Sequence, residues 1–174
     1  MEIALLVLRL VVGLGFAAHG AQKLFGAFGG HGIDGTAGFF EQLGLRPGRL
    51  HARAAATAEF AGGLLIALGL LTPFAAAALI AVMTAAVLKV HLRNGFFNTD
   101  KGFEYNLVLV AVLFALAGIG AGDWSLDNAL DLDVAGTGWA LAALGAGFLG
   151  GLGAVLSGRV LPERRAGRGE PHTA

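Results

Sequence analysis

"LRLVVGLGFAAHGAQKLFGAFGG", residues 8–30, is apolar enough to lie in a lipid bilayer, yet it carries Arg9, His19 and Lys23. Lipid rejects such groups unless they reach the interface or turn inward toward partners or water. Reaching the interface suits a long stem near a helix end. Turning inward makes a site. Which outcome applies to each residue decides whether the chain is a plain apolar bundle or one built around a polar centre.

The rest of the chain supports the membrane reading. Of 174 residues, 56% are hydrophobic and 14% charged, with a mean hydropathy of +0.72. A soluble domain is roughly half apolar and a quarter charged. The length allows one compact bundle. The absence of Cys removes thiol–disulfide exchange, iron–sulfur ligation and thiolate zinc sites from this chain's own chemistry. The start, Met1-Glu2, has no basic region, and no small-residue cleavage site follows, so the first apolar stretch is expected to be a retained helix.

Spanning takes about 20 mostly apolar residues. Five stretches qualify, at roughly 3–22, 52–71, 73–91, 104–121 and 136–157. "LLTPF" (70–74) separates the second from the third, and Pro73 fits the first turn of a new helix. No alternation of period two persists, so strands are not expected. The predicted fold is an all-α, polytopic membrane helical bundle. Residues 1–133 form a four-helix core, 134–158 a fifth transmembrane helix, and 159–174 a basic, disordered cytoplasmic tail.

Five spans place Lys23, Arg46, Arg49, Arg53, Lys89, Arg93, Lys101, Arg159, Arg164, Arg165 and Arg168 on one side. Only Arg9 is left over. The other side holds "GDWSLDNALDLD" (122–133), with four Asp and no base. Basic loops stay cytoplasmic. The expected location is therefore the inner (plasma) membrane, with the N-terminus outside and the C-terminus cytoplasmic.

Within the first cytoplasmic loop, "DGTAGFFEQLG" (34–44) can start at an Asp34 or Thr36 cap and form a short helix with Phe39, Phe40 and Leu43 on one side. It either lies in the interface or folds back over the helix ends. The second loop repeats the aromatic theme with Phe96, Phe97 and Phe103.

Lys23, Lys89, His91 and Glu104 fall near the cytoplasmic helix ends, with His19 one turn deeper than Lys23. Arg9 lies roughly 20 Å from Lys23 at 1.5 Å per residue. Lys23, Lys89 and Arg93 have stems long enough to snorkel. Glu59 does not, so it must be protonated, paired or wetted, and Arg9 or His19 could pair with it. No His-x-x-x-His or Glu-x-x-His spacing supports a metal. "DNALDLDVAG" (127–136) lacks the Gly and Glu of a calcium loop, and no Gly-Lys-Ser/Thr phosphate cradle exists. Small residues recur every four positions at Gly13, Ala17 and Ala21, at Ala58 and Gly62, and at Ala142, Ala146, Gly150 and Ala154. Such stripes let helices approach closely. In the fifth helix they suggest packing on the core or on a second copy, without lining a site.

Taken in order, "LLVLRLVVGLGFAAHGAQKLFG", "GTAGFFEQLGL", "AEFAGGLLIALGLLT", "VHLRNGFFN", "KGFEYNLVL" and "WSLDNAL" resemble the DoxX family of small bacterial and archaeal membrane proteins, over about residues 4–130. The matching positions are Arg9, His19, Gly20, Lys23, Gly26, Glu59, Gly62, His91, Gly95 and Glu104. The fifth helix and the tail lie outside that pattern. The family name derives from a quinone-linked thiosulfate oxidoreductase, and relatives are described as membrane parts of redox or oxidative-stress systems.

The resemblance thus implies a membrane subunit that binds a quinone or similar small ligand in a polar pocket formed by Arg9, His19, Lys23, Glu59, His91 and Glu104. His19 and Glu59 are the candidates for handling protons, and Arg9 or Lys23 for stabilising an anion on the ligand. No flavin or haem motif is present, so electrons would come from a substrate or partner. The alternatives are a non-catalytic scaffold for a cytoplasmic partner and a small-solute or proton transporter. Expected partners are the lipid bilayer and a cytoplasmic or membrane redox protein, with a second copy of the chain a further candidate. Nothing points to nucleic acid.

Reporter fusions after residue 30, after residue 98 and at the C-terminus are expected to report cytoplasm, and a fusion near Asp127 the outside. Export of the first would reverse the orientation.

Overall fold

Small residues at helical spacing set the first contact of the bundle. On α1 (Glu2–Phe25) the buried stripe is Arg9, Gly13, Phe16, Ala17, Gly20 and Ala21. On α3 (Gly48–Leu68) it includes Ala52, Ala56, Glu59, Gly62, Gly63 and Ile66. The two helices lie backbone to backbone: a Cβ added at Gly13 would stand 2.5 Å from Gly63 O and Ala67 N. No side chain fits there.

The computed structural model describes residues 2–158, and the tail expected over 159–174 lies outside them. The described residues form a helical membrane bundle without strands. The short helix expected after the first span is α2 (Gly32–Gln42). It folds back onto α3, with Thr36 and Ala37 buried, rather than lying apart on the surface. Next comes α4 (Thr72–Ala86), with Pro73 in its first turn as the sequence suggested. It continues through a π-helical turn (Val87–His91) and a 3₁₀ turn (Leu92–Asn94). Then follow α5 (Glu104–Ile119), the single turn α6 (Leu126–Ala129) and α7 (Thr137–Ser157), the fifth span of the sequence reading.

The long helices alternate in direction. Arg46 N donates to Gly158 O (3.4 Å), joining the end of α7 to the α2–α3 loop. At the other end, Asp127 N donates to Gly69 O (2.7 Å) and Gly136 N to Gly118 O (2.9 Å). α4 is central, packed against α3, α5 and α7, around a core of Ile66, Leu79, Ile80, Leu113 and Leu116. By length and composition, Glu2–Phe25, Thr72–Asn94 and Thr137–Ser157 can each cross a membrane. α5 is apolar but has 16 residues, about 24 Å at helical rise. α3 is lowered in hydropathy by His51, Arg53 and Glu59 at its α2-facing end.

One stripe differs from the sequence reading. On α7 the buried face is Ala140, Ala143, Gly147, Gly151 and Val155, one position along from the expected Ala142, Ala146, Gly150 and Ala154. Gly147 and Gly151 sit against Ile80 and Thr84 of α4. Both registers are small and four-spaced, so the pattern alone could not choose. The larger partners on α4 do.

The end opposite α2 is closed by two charged residues. Arg9 is 1% exposed and donates from Nη1 to Ala121 O (2.6 Å) and from Nη2 to Trp124 O (2.5 Å). It therefore does not snorkel. Asp127, read from the sequence as part of an acidic outer loop, is buried. It accepts from Leu71 N (2.6 Å), Thr72 N (3.1 Å) and Thr72 Oγ1 (2.6 Å). It is thus a cap for α4 brought from 56 residues away. The cap holds Leu71 at φ +49, a left-handed conformation that costs a non-glycine residue of order 1–3 kcal/mol. Gly69, at φ +64, has no Cβ because Arg9 Nη1 fills that space.

Asp127→Ala strands three donors in a buried position. It is expected to cost at least about 2 kcal/mol, at ~1–3 per stranded group. Asp127→Asn, which keeps one carbonyl oxygen, should cost less. Thermal unfolding in detergent, followed by fluorescence-detected size exclusion, measures both. Equal melting of wild type and Asp127→Ala would refute the capping role.

Candidate ligand-binding site

Alanines open a cavity at the α2 end. Ala54, Ala55 and Ala58 on α3 face Ala78, Ala81 and Ala85 on α4, leaving about 590 Å³ that larger side chains would have filled. α2 covers it with Phe39, Phe40 and Leu43. The cover is tied to α3 by the Asp34–Arg49 ion pair and by a hydrogen bond from Gly48 N to Glu41 Oε1 (3.3 Å). The exposed ion pair adds little energy. The buried backbone of α2 against α3 does more.

Into this apolar chamber reach Lys23 from α1, His31 before α2, His51 and Glu59 from α3, and Lys89 and His91 from the π-helical turn. Glu59 is 3% exposed, and both its oxygens accept from Lys23 Nζ at 2.5 Å. Glu59 lies on the buried stripe of α3, in step with Ala52, Ala56 and Gly63, and His51 and Ala55 precede it at four-residue spacing on the cavity side. Lys23 lies on the flank of the α1 stripe, and its stem carries the ammonium inward. One proton of that ammonium remains for a ligand.

The residues expected to share one pocket are only partly brought together. Lys23, Glu59 and His91 line the cavity. His19 does not: it is exposed and points out of the bundle. At 100° per residue it sits roughly 120° from the centre of α1's buried face, and an imidazole is too short to return. Glu59 therefore pairs with Lys23, not with His19 or Arg9. Arg9 is at the opposite end, spent on backbone carbonyls. Glu104 lies outside the cavity and accepts from Asn98 N (3.0 Å), holding the loop between α4 and α5. α7, expected to line nothing, contributes Ala154 to the wall.

His31 and His51 were not anticipated. The four-residue run to Glu59 could have flagged His51. Nothing in the local pattern marks His31, which reaches the cavity only because α2 folds back. Lys89, read as a snorkelling residue, also lines the cavity. The π turn, which inserts one extra residue per turn, changes the face on which Lys89 and His91 emerge.

Lys23→Met leaves Glu59 to take up a proton or stay uncompensated. Breaking a buried pair costs about 3–5 kcal/mol, and the partial exposure of Lys23 argues for the lower end. Lys23→Met with Glu59→Leu should recover much of that loss. Apparent melting temperatures of the two single variants and the double variant make the cycle. Additive losses would mean the pair contributes no coupling.

The family model described as DoxX matches residues 4–92. The Bacillus subtilis (strain 168) protein named "Putative oxidoreductase CatD" is 32% identical over 117 residues, which cover 67% of this chain and 81% of that protein. The Mycobacterium tuberculosis (strain ATCC 25618 / H37Rv) protein named "Uncharacterized membrane protein Rv3486" is 30% identical over 137 residues, covering 73% of this chain and 81% of the relative. No solved structure matches the chain. The family match takes in every wall of the cavity except Ala154, as well as Arg9 and the Lys23–Glu59 pair. On this match and on the two relatives, the chain belongs to the DoxX family of membrane proteins.

Proposed function

We propose that this protein is a membrane subunit of a redox or oxidative-stress system that holds a quinone, or a similar small aromatic ligand, in the cavity beneath α2. The observation that carries this reading is an alanine-walled chamber of about 590 Å³ with an ion pair and imidazoles at its α2 end. Small-molecule sites span roughly 300–1,000 Å³ and combine apolar walls with a few converging polar groups. Ring and tail would lie against the alanines, with Phe39 and Phe40 above. Lys23 would donate its remaining N–H to a ligand oxygen, while Glu59 neutralises the ammonium so that a buried net charge is avoided.

Residues 1–133 form the working core, and 134–158 support it through α7. With the N-terminus outside in the plasma membrane, the cavity lies in the cytoplasmic half, within reach of a cytoplasmic redox partner that supplies or removes electrons. The similarity to CatD, whose name includes "oxidoreductase", supports the same class. A transport pathway is the weaker reading, because Arg9 and Asp127 close the opposite end of the bundle.

The test is mass spectrometry of the lipids extracted with the purified protein, together with titration of a short-tailed benzoquinone into protein in nanodiscs. Wild type is expected to carry quinone and to bind the probe at micromolar concentration. Ala55→Phe, which fills the chamber without removing a polar group, should lose both while folding normally. Absence of any quinone binding by folded wild type would overturn the proposal.

A further inference from the structure

Among the cavity's polar groups, the neutral ring of His91 is held in one tautomer by its surroundings. Its Nδ1 lies 2.8 Å from the carbonyl oxygen of Lys101. A backbone carbonyl can only accept, so Nδ1 carries the ring proton. The same oxygen also accepts from Asn94 Nδ2 (3.1 Å), which places a donor on each of its lone pairs. The loop presenting this carbonyl is itself pinned. Phe103 N donates to Gly95 O (3.2 Å), Glu104 N to Phe96 O (2.9 Å), and Asn98 N to Glu104 Oε2. A fixed acceptor at Nδ1 leaves Nε2 of the neutral ring as a bare lone pair. His91 lines the cavity and Lys101 does not.

Resting on the reading of this cavity as a quinone site, we infer that it is selective for the reduced, hydroxylated form of its ligand, whose O–H donates to Nε2 of His91. A quinol hydroxyl both donates and accepts. It can give its proton to His91 while Lys23 donates to its oxygen. A quinone carbonyl only accepts, so it satisfies Lys23 but sets oxygen lone pairs against the nitrogen lone pair with no proton between them. Lys23 serves either form. His31 and His51 have no fixed partner among the described residues and adopt whichever tautomer the ligand asks for. His91 is the group that discriminates. Glu104, outside the cavity, acts at one remove as a positioning residue, because it holds the loop that fixes the tautomer.

The experiment compares decylubiquinol, kept reduced under argon, with decylubiquinone. Both are titrated into the full chain in nanodiscs by microscale thermophoresis at about pH 8, above the ordinary imidazole range. Wild type is expected to bind the quinol about tenfold more tightly, a factor that corresponds to 1.4 kcal/mol, or one hydrogen bond. His91→Asn keeps an amide N–H where Nδ1 stands, and so keeps the bond to Lys101, but has nothing at Nε2. It should bind quinol and quinone alike, the tenfold preference being lost. Equal binding of both forms by wild type would overturn the inference and leave the quinone site intact, as would a preference that survives in His91→Asn. Binding of neither form by wild type would overturn the quinone site and this inference together.

Discussion

The near-contact of two helix backbones at Gly13 and Gly63 is the constraint on which the rest of the structure depends. It sets α1 beside α3 at a separation that only glycine and alanine permit, with Gly20 under Phe60 about two turns further along α1. At that separation the Lys23 stem spans the gap and its ammonium meets both Glu59 oxygens. A wider crossing would leave a carboxylate in the bilayer without a cation. The apolar packing therefore makes the polar pair affordable, and the pair fixes the register of the packing.

The two ends of the bundle answer the same physical problem differently. At one end, Arg9 and Asp127 are spent on backbone groups that the chain leaves unpaired where helices stop. Arg9 takes carbonyls of the α5–α6 connection, and Asp127 takes the first N–H groups of α4. Neither residue lines the cavity at the other end. At the other end, the small side chains of alanines on α3 and α4 leave a space beneath α2, and the charged groups border it. Charge thus serves closure at one end and lines a chamber at the other.

The π-helical turn links fold to site. A regular continuation of α4 would carry Lys89 and His91 around at 100° per residue. The wider turn at Val87–His91 changes that phase and brings both to the cavity wall, while the loop that follows supplies the carbonyl for His91. Strain and function are often placed together in such turns.

Composition, hydropathy and small-residue spacing in the sequence alone determined that this is an all-helical membrane bundle with a Pro-started hairpin and a folded segment after the first span. These are local properties, set by side-chain chemistry at helical period. The sequence also marked Lys23, Glu59 and His91, because ionisable groups in apolar runs stand out. It could not say which would meet. Tertiary structure decided that Glu59 takes Lys23 and leaves His19 outside, because some 120° of helix rotation separates His19 from the buried face. It decided that Asp127, which looks like loop acid, caps a helix 56 residues away. It also decided the buried face of α7, where two small-residue registers were equally good until Ile80 and Thr84 of α4 selected one. Each of these outcomes depends on the phase of one helix against another, which no local pattern contains.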